Sequence, residues 1–318
     1  MAKFCKLKSS TLTDYYKNHL SGYSKWEQSE HADEYLCFPA NLGEHLSIDE
    51  TSLSNGELYT IVTNKAGHGR KGSLVAMVKG TDSNEVCGRL LHKLPAGKRH
   101  KVKTITLDMS GSMSLIARKC FPLAKQIIDR FHVQKEFKEA LQDLRIQYRW
   151  QAMEDENQEI AKCKKENTEY KATVFANGDT RKQLLARSRY LLFKNPDEWS
   201  ASQKQRAEIL FKEYDDIKQF YDLSLRLGNI YSTHCNKTVA RKKMALWFND
   251  VEDLEYTQFN TVVRTFSNHH ERILNFFDER LTNANAESFH AKIKKLRANF
   301  RGVTDVKFFL FRVAKLFA

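Results

Sequence analysis

The stretch Thr104-Ile105-Thr106-Leu107-Asp108-Met109-Ser110-Gly111-Ser112 decides the fold. A β-branched, apolar run that ends in a carboxylate and a turn places that acid at the mouth of a strand. Leu46-Ser47-Ile48-Asp49-Glu50-Thr51 ends in the same way 59 residues earlier, with Asp49 in the place of Asp108. A third acid, Glu287, lies in Asn283-Ala284-Asn285-Ala286-Glu287-Ser288-Phe289-His290, which reads as a helix. Two strand-borne aspartates and one helix-borne glutamate can gather around two magnesium ions about 4 Å apart, with manganese as the substitute. Such ions activate the attacking oxygen and stabilise the leaving oxygen of a phosphodiester. Asp49, Asp108 and Glu287 are therefore the candidate catalytic and metal-binding residues. Glu50 is one residue away, and the pleat sends it to the opposite face. Taken singly, each aspartate also suits a turn or a helix N-cap.

Outward from these runs, Leu46 to Ser52, Glu57 to Thr63 and Gly72 to Val78 are three β-rich segments separated by Ser54-Asn55-Gly56 and Ala66-Gly67-His68-Gly69, the spacing of an antiparallel meander. Asn84 to Leu94 has helical spacing, stopped by Pro95-Ala96-Gly97. The Asp108 strand leads into a helix capped by Ser110 or Ser112, and Ala124 to Ile128 is a further strand ending at Asp129. Three antiparallel strands followed by helix, strand, helix and strand is the order of a ribonuclease-H-like α/β fold, a mixed sheet in which Asp49 and Asp108 lie side by side. Past His132 the β signal disappears, and helical spacing such as Phe137, Leu141, Leu144 and Tyr148 predicts an all-helical insertion. The expected organisation is a short helical arm at 1–44, the first part of the core at 45–133, a helical insertion at 134–265, and helices at 266–318 that complete the core and carry Glu287.

With 52 Lys and Arg against 39 Asp and Glu, the net charge of +13 over 318 residues favours a polyanionic partner, nucleic acid first. Lys65, Arg70 and Lys71 crown a hairpin loop and suit a DNA backbone, or equally a solvated turn. Asn283, Glu287 and Lys294 form a polar stripe on a helix, and Lys292, Lys294, Lys295, Arg297 and Arg301 follow as the densest cationic stretch beside a candidate acid. Asp129 and His132 end a strand three residues apart with no apolar need for either; they suit a metal-proximal acid and a phosphate-binding group, or an N-cap and a surface histidine. Trp150, Trp199 and Trp247 read as core or inter-helix packing. The six cysteines form no Cys-x-x-Cys pair, which argues against zinc and for a reducing, cytosol-like compartment. No run approaches a membrane span, and the tail Val306 to Ala318 reads as a packed terminal helix.

Ile48-Asp49-Glu50, Leu107-Asp108-Met109-Ser110, Ile127-Ile128-Asp129-Arg130-Phe131-His132-Val133, and the Asn283 to Ser288 block with Lys292-Ile293-Lys294 and Arg301-Gly302 together resemble the DDE transposases of bacterial insertion sequences, in the branch of the ISL3 group. The resemblance implies an interrupted ribonuclease-H-like core with Asp49, Asp108 and Glu287 as the triad. It also implies supporting roles for Asp129, His132 and Asn283, with Arg130 among the DNA-contacting residues. By the same resemblance the activity is cleavage and strand transfer at transposon ends with two magnesium ions, in the bacterial cytoplasm and nucleoid-associated when on DNA. The partners are transposon-end and target DNA, and a second copy in a synaptic dimer. Relatives carry a zinc finger and helix-turn-helix ahead of the core, so a separate end-binding polypeptide is the expectation here. A structure-selective nuclease without strand transfer and a catalytically silent DNA-binding derivative are the rival functions.

Overall fold

The structure is a computed structural model that describes residues 8–53, 56–300 and 303–318. Six strands, β1 (Tyr35–Cys37), β2 (His45–Ser52), β3 (Leu58–Asn64), β4 (Leu74–Lys79), β5 (Thr104–Leu107) and β6 (Lys125–Ile128), form one sheet in the order β1-β4-β3-β2-β5-β6. Pairing is antiparallel from β1 through β4 and β3 to β2, then parallel from β2 through β5 to β6. The chain is thus a mixed α/β protein with the strand order expected from the sequence, plus β1. That strand falls in the segment expected to be a helical arm; three residues are too few to show a period of two.

Local chemistry explains the joins. Asn64 accepts the Ala66 N–H at 3.0 Å to open the turn after β3. A Cβ on Gly67 would fall 2.7 Å from the Ser73 backbone, so only glycine lets that hairpin close. Ser54 and Asn55, expected to turn β2 into β3, lie outside the described residues. Between β4 and β5 run α2 (Ser83–Lys93), capped by the Asp82 carboxylate, and the short α3 (Ala96–Arg99), which continues past the Pro95 stop; α1 (Ser9–Tyr15) precedes the sheet. Between β5 and β6 lies α4 (Gly111–Cys120), whose N-cap is Ser110.

The chain divides into two compact units, 1–129 with 280–318, and 130–279. The first unit adds α12 (Ala284–Asn299) and α13 (Val306–Phe317) to the sheet. Phe289 and Ile293 of α12 and Phe309, Leu310, Val313 and Phe317 of α13 share one core with Leu36, Tyr59, Ile61 and Met77. The tail is therefore a packed terminal helix. Tyr16, Tyr23 and Trp26 of the N-terminal segment set their rings against Phe308 or Phe311 of α13, at 5.3 to 6.4 Å between centroids.

Helices make up most of the second unit. They are α5 (Arg130–Lys165), α6 (Arg181–Arg187), α7 (Ala201–Glu213), α8 (Asp215–Ser232), α9 (Lys237–Glu252), α10 (Thr257–Leu274) and α11 (Phe276–Glu279). Phe137, Phe220, Trp247 and Phe259 are fully buried at its centre, with Phe220 stacked on Phe259 at 3.6 Å. Trp247 donates to the Leu223 carbonyl, whereas Trp150, expected in packing, is 64% exposed. The boundaries of this unit fall at the start of α5 and after α11, while 265/266 lies inside α10. Among the described residues no helix is long and apolar enough to cross a membrane.

Candidate active site

Strand register builds the site. In the β2–β5 ladder His45 lies opposite Thr104, Leu46 opposite Ile105 and Ser47 opposite Thr106, a constant separation of 59 residues that is also the separation of Asp49 from Asp108. In the β5–β6 ladder Thr104 to Leu107 lie opposite Lys125 to Ile128, an offset of 21 that carries Asp108 level with Asp129. The Asp129 N–H donates to the Leu107 carbonyl at 3.0 Å and prolongs that ladder. On the other side Asp49 pairs with Ile61, Ile61 with Met77 and Met77 with Leu36. Register partners point to one face of a sheet. A single row therefore runs from apolar to acidic through Leu36, Met77, Ile61 and Asp49, and the same offsets extend it to Asp108 and Asp129, each one residue past the end of its strand.

The apolar half of the row belongs to the core that Phe289 and Ile293 enter, so α12 covers this face. On α12, His290 turns toward the acidic half: its Nδ1 lies 3.3 Å from Asp49 Oδ2. Burial holds the His290 pKa below its ordinary value, Asp49 opposes that shift and Lys294 adds to it. Glu287 precedes His290 by one turn on the same side, and its N–H donates to the Asn283 carbonyl at 2.9 Å. Its side chain is exposed.

Each strand aspartate is oriented by a backbone amide. Asp49 Oδ1 accepts the Glu50 N–H and Asp108 Oδ1 the Ser110 N–H, both at 2.8 Å, and both residues are half-buried. Glu50 alternates to the opposite face, yet burial first, then Asp108 and Asp49, push its pKa up from its ordinary value. The acid pair thus acts electrostatically on a third neighbour whose role the spacing does not reveal. Asp129 is 1% exposed, and its Oδ1 has no hydrogen-bond partner among the described residues.

The remaining expected residues are dispersed. His132 and Arg130 lie in the first turn of α5, in the second unit, with the Arg130 guanidinium 6.0 Å from the Phe276 ring centre. Lys65, expected to meet a DNA backbone, is 6% exposed; its ammonium donates to the Thr282 carbonyl, and burial lowers its pKa to about 8 against the opposing pull of Asp129. Arg70, Lys71, Lys294 and Lys295 are exposed and Arg297 partly so. Lys292 donates to the Gly69 carbonyl at 2.6 Å and ties α12 to the β3–β4 hairpin. Arg301 and Gly302 lie outside the described residues. Among the described residues no three His, Cys, Asp or Glu side chains converge closely enough to hold a metal ion. The oxygen donors of Asp49 and Asp108 are nevertheless of the hard kind that magnesium takes.

The model of the ISL3-type DDE transposase family, described as transposase, matches residues 46–313. The chain belongs to the ISL3 family of DDE transposases. This ISL3-family chain is also 21% identical over 276 residues to the transposase for insertion sequence element IS1001 of Bordetella parapertussis, a match covering 86% of the chain and 61% of that relative. No solved structure matches.

Proposed function

We propose that this ISL3-family chain is the catalytic core of a transposase, cleaving DNA at transposon ends and joining the freed 3′ ends to target DNA. The first compact unit is the ribonuclease-H-like core that the family implies, and the helical unit is its insertion. The observation that carries the reading is the parallel register of β2 and β5, whose constant offset brings Asp49 level with Asp108, the residue just past the carboxyl end of β5, where open α/β sheets place their ligands. Asp49, Asp108 and Glu287 would hold divalent cations, magnesium first, and a cation there supplies Lewis-acid stabilisation of the attacking and leaving oxygens. The chain's own part is orientation. Backbone amides fix Asp49 and Asp108, His290 holds the second oxygen of Asp49, and the half-buried strand ends limit water. Exposed Arg70, Lys71, Lys294 and Lys295 neutralise phosphates without reading sequence. Arg297 is assigned to the same backbone contact, and Arg130, in the second unit, to a DNA contact of its own. Synapsis is assigned to a dimer.

The test is a pair of assays, end cleavage and strand transfer from pre-cleaved ends, on the wild type, Asp108→Asn and Glu287→Gln. Each variant should lose at least about a thousandfold in both reactions while binding DNA as the wild type does. Cleavage that persists in Asp108→Asn overturns the triad; wild-type cleavage without joining leaves a nuclease.

A further inference from the structure

The face that α12 covers holds an unresolved polar problem. Asn283 is fully buried, and neither its amide nitrogen nor its amide oxygen has a hydrogen-bond partner among the described residues. Asp129 is equally buried with Oδ1 unpartnered. Buried polar groups are almost always paired, so two orphans on one face call for an explanation. Lys65 is linked to the surroundings of both: its ammonium donates to the carbonyl of Thr282, the residue before Asn283, and feels the charge of Asp129. An amide N–H and a carboxylate oxygen are complementary, and one cation is bonded beside the first and sensitive to the charge of the second.

The Asn283 carbonyl accepts the Glu287 N–H, so moving Asn283 moves the first turn of α12 and Glu287 with it. Glu287 is exposed in the arrangement described, and three acids do not converge. We propose that Asn283 is a positioning residue: its carboxamide donates to Asp129 Oδ1 in the arrangement that brings Glu287 to Asp49 and Asp108, with Lys65 as the fixed pivot. The inference rests on the triad reading above. The same buried amide is a cost in one arrangement and a latch in the other.

Asn283→Ala separates this from a structural role, because removing an unpaired buried amide stabilises the arrangement described. Its melting temperature should rise while kcat for cleavage falls about tenfold, the rate equivalent of one lost hydrogen bond, with KM for DNA unchanged. A second readout is hydrogen exchange at 283–287. Calcium, which loads such sites without chemistry, should protect that segment in the wild type and not in Asn283→Ala. The exchanged pair Asn283→Asp with Asp129→Asn, which reverses donor and acceptor, should recover calcium protection that Asn283→Asp alone lacks. An unchanged kcat with protection intact in Asn283→Ala overturns the proposal, as does a double variant that folds without recovering protection. If Asp108→Asn retains cleavage the triad itself fails; if it loses cleavage while Asn283→Ala does not, only the latch fails.

Discussion

Replacing Lys65 by Met removes a buried ammonium and keeps the aliphatic stem that reaches across the sheet face. The folded-state pKa of about 8, against 10.5 for an ordinary lysine, sets the magnitude. A depressed pKa on a base means that its contribution is fully present above the unfolded value and lost as pH falls through the folded one. Between pH 8 and 10.5 the unfolded chain holds the proton and the folded chain does not, so stability rises with pH across that window, by about 3 kcal/mol in all. Methionine contributes no such slope. At neutral pH its gain is offset by about 1–3 kcal/mol, because the Thr282 carbonyl loses its donor and Asp129 its counter-charge. The difference between the proteins at two pH values is therefore the decisive quantity. Urea unfolding at about pH 7.5 and pH 9.5 should show the wild type gaining about 2 kcal/mol on Lys65→Met between them. The tyrosines that also titrate there are common to both and cancel. A difference that stays constant between the two pH values would mean that Lys65 is solvated, and the burial argument for its position would be wrong.

Two further perturbations probe separate places. Burial and two neighbouring aspartates raise the Glu50 pKa, so its favourable contribution is present below the ordinary glutamate range and lost as pH rises through the folded value. Glu50→Gln should then melt higher than the wild type at pH 7 and converge with it near pH 4, and a constant offset refutes the assignment. In the helical unit the fully buried Asp179 receives Arg206 Nε at 2.9 Å and also pairs with Arg187. Asp179→Asn leaves two guanidiniums without their counter-charge and should cost about 3 kcal/mol in urea unfolding at pH 7. A loss below about 1 kcal/mol would show the cluster to be solvated.

What the sequence disclosed followed from period and punctuation. The alternation of Leu46 to Ser52 and the turn after Leu107 placed both aspartates, and the apolar steps through Phe137 and Leu141 exposed the helical unit. Equal separations could not be recognised as register, because any 59-residue gap looks alike until two strands pair. Lys65 sat in a charged loop sequence and read as surface, since burial of an ammonium depends on a carbonyl 217 residues away. His290 follows Glu287 by one turn in the sequence, but its contact with Asp49 depends on which face α12 turns to the sheet. The N-terminal strand β1 was hidden by its length.

The acidic row also explains why the third ligand of the proposed triad should come from a helix. Neighbouring strands lie about 4.8 Å apart, close to the separation of about 4 Å that a pair of catalytic cations requires. Asp49 and Asp108 can therefore address the same two ions directly. Asp129, one strand further, stands at about twice that spacing from Asp49, too far to share an ion with it, and its burial leaves it for internal bonding. Glu50 also neighbours both aspartates but alternates to the opposite face, so a third carboxylate on the aspartates' own face has to approach from above the sheet. Helix α12 is the element over that face: Phe289 and Ile293 seat it on the apolar half of the row, and His290 already meets the acidic half. With the helix anchored by those three residues, a small movement of its first turn is the least costly way to complete the ligand set.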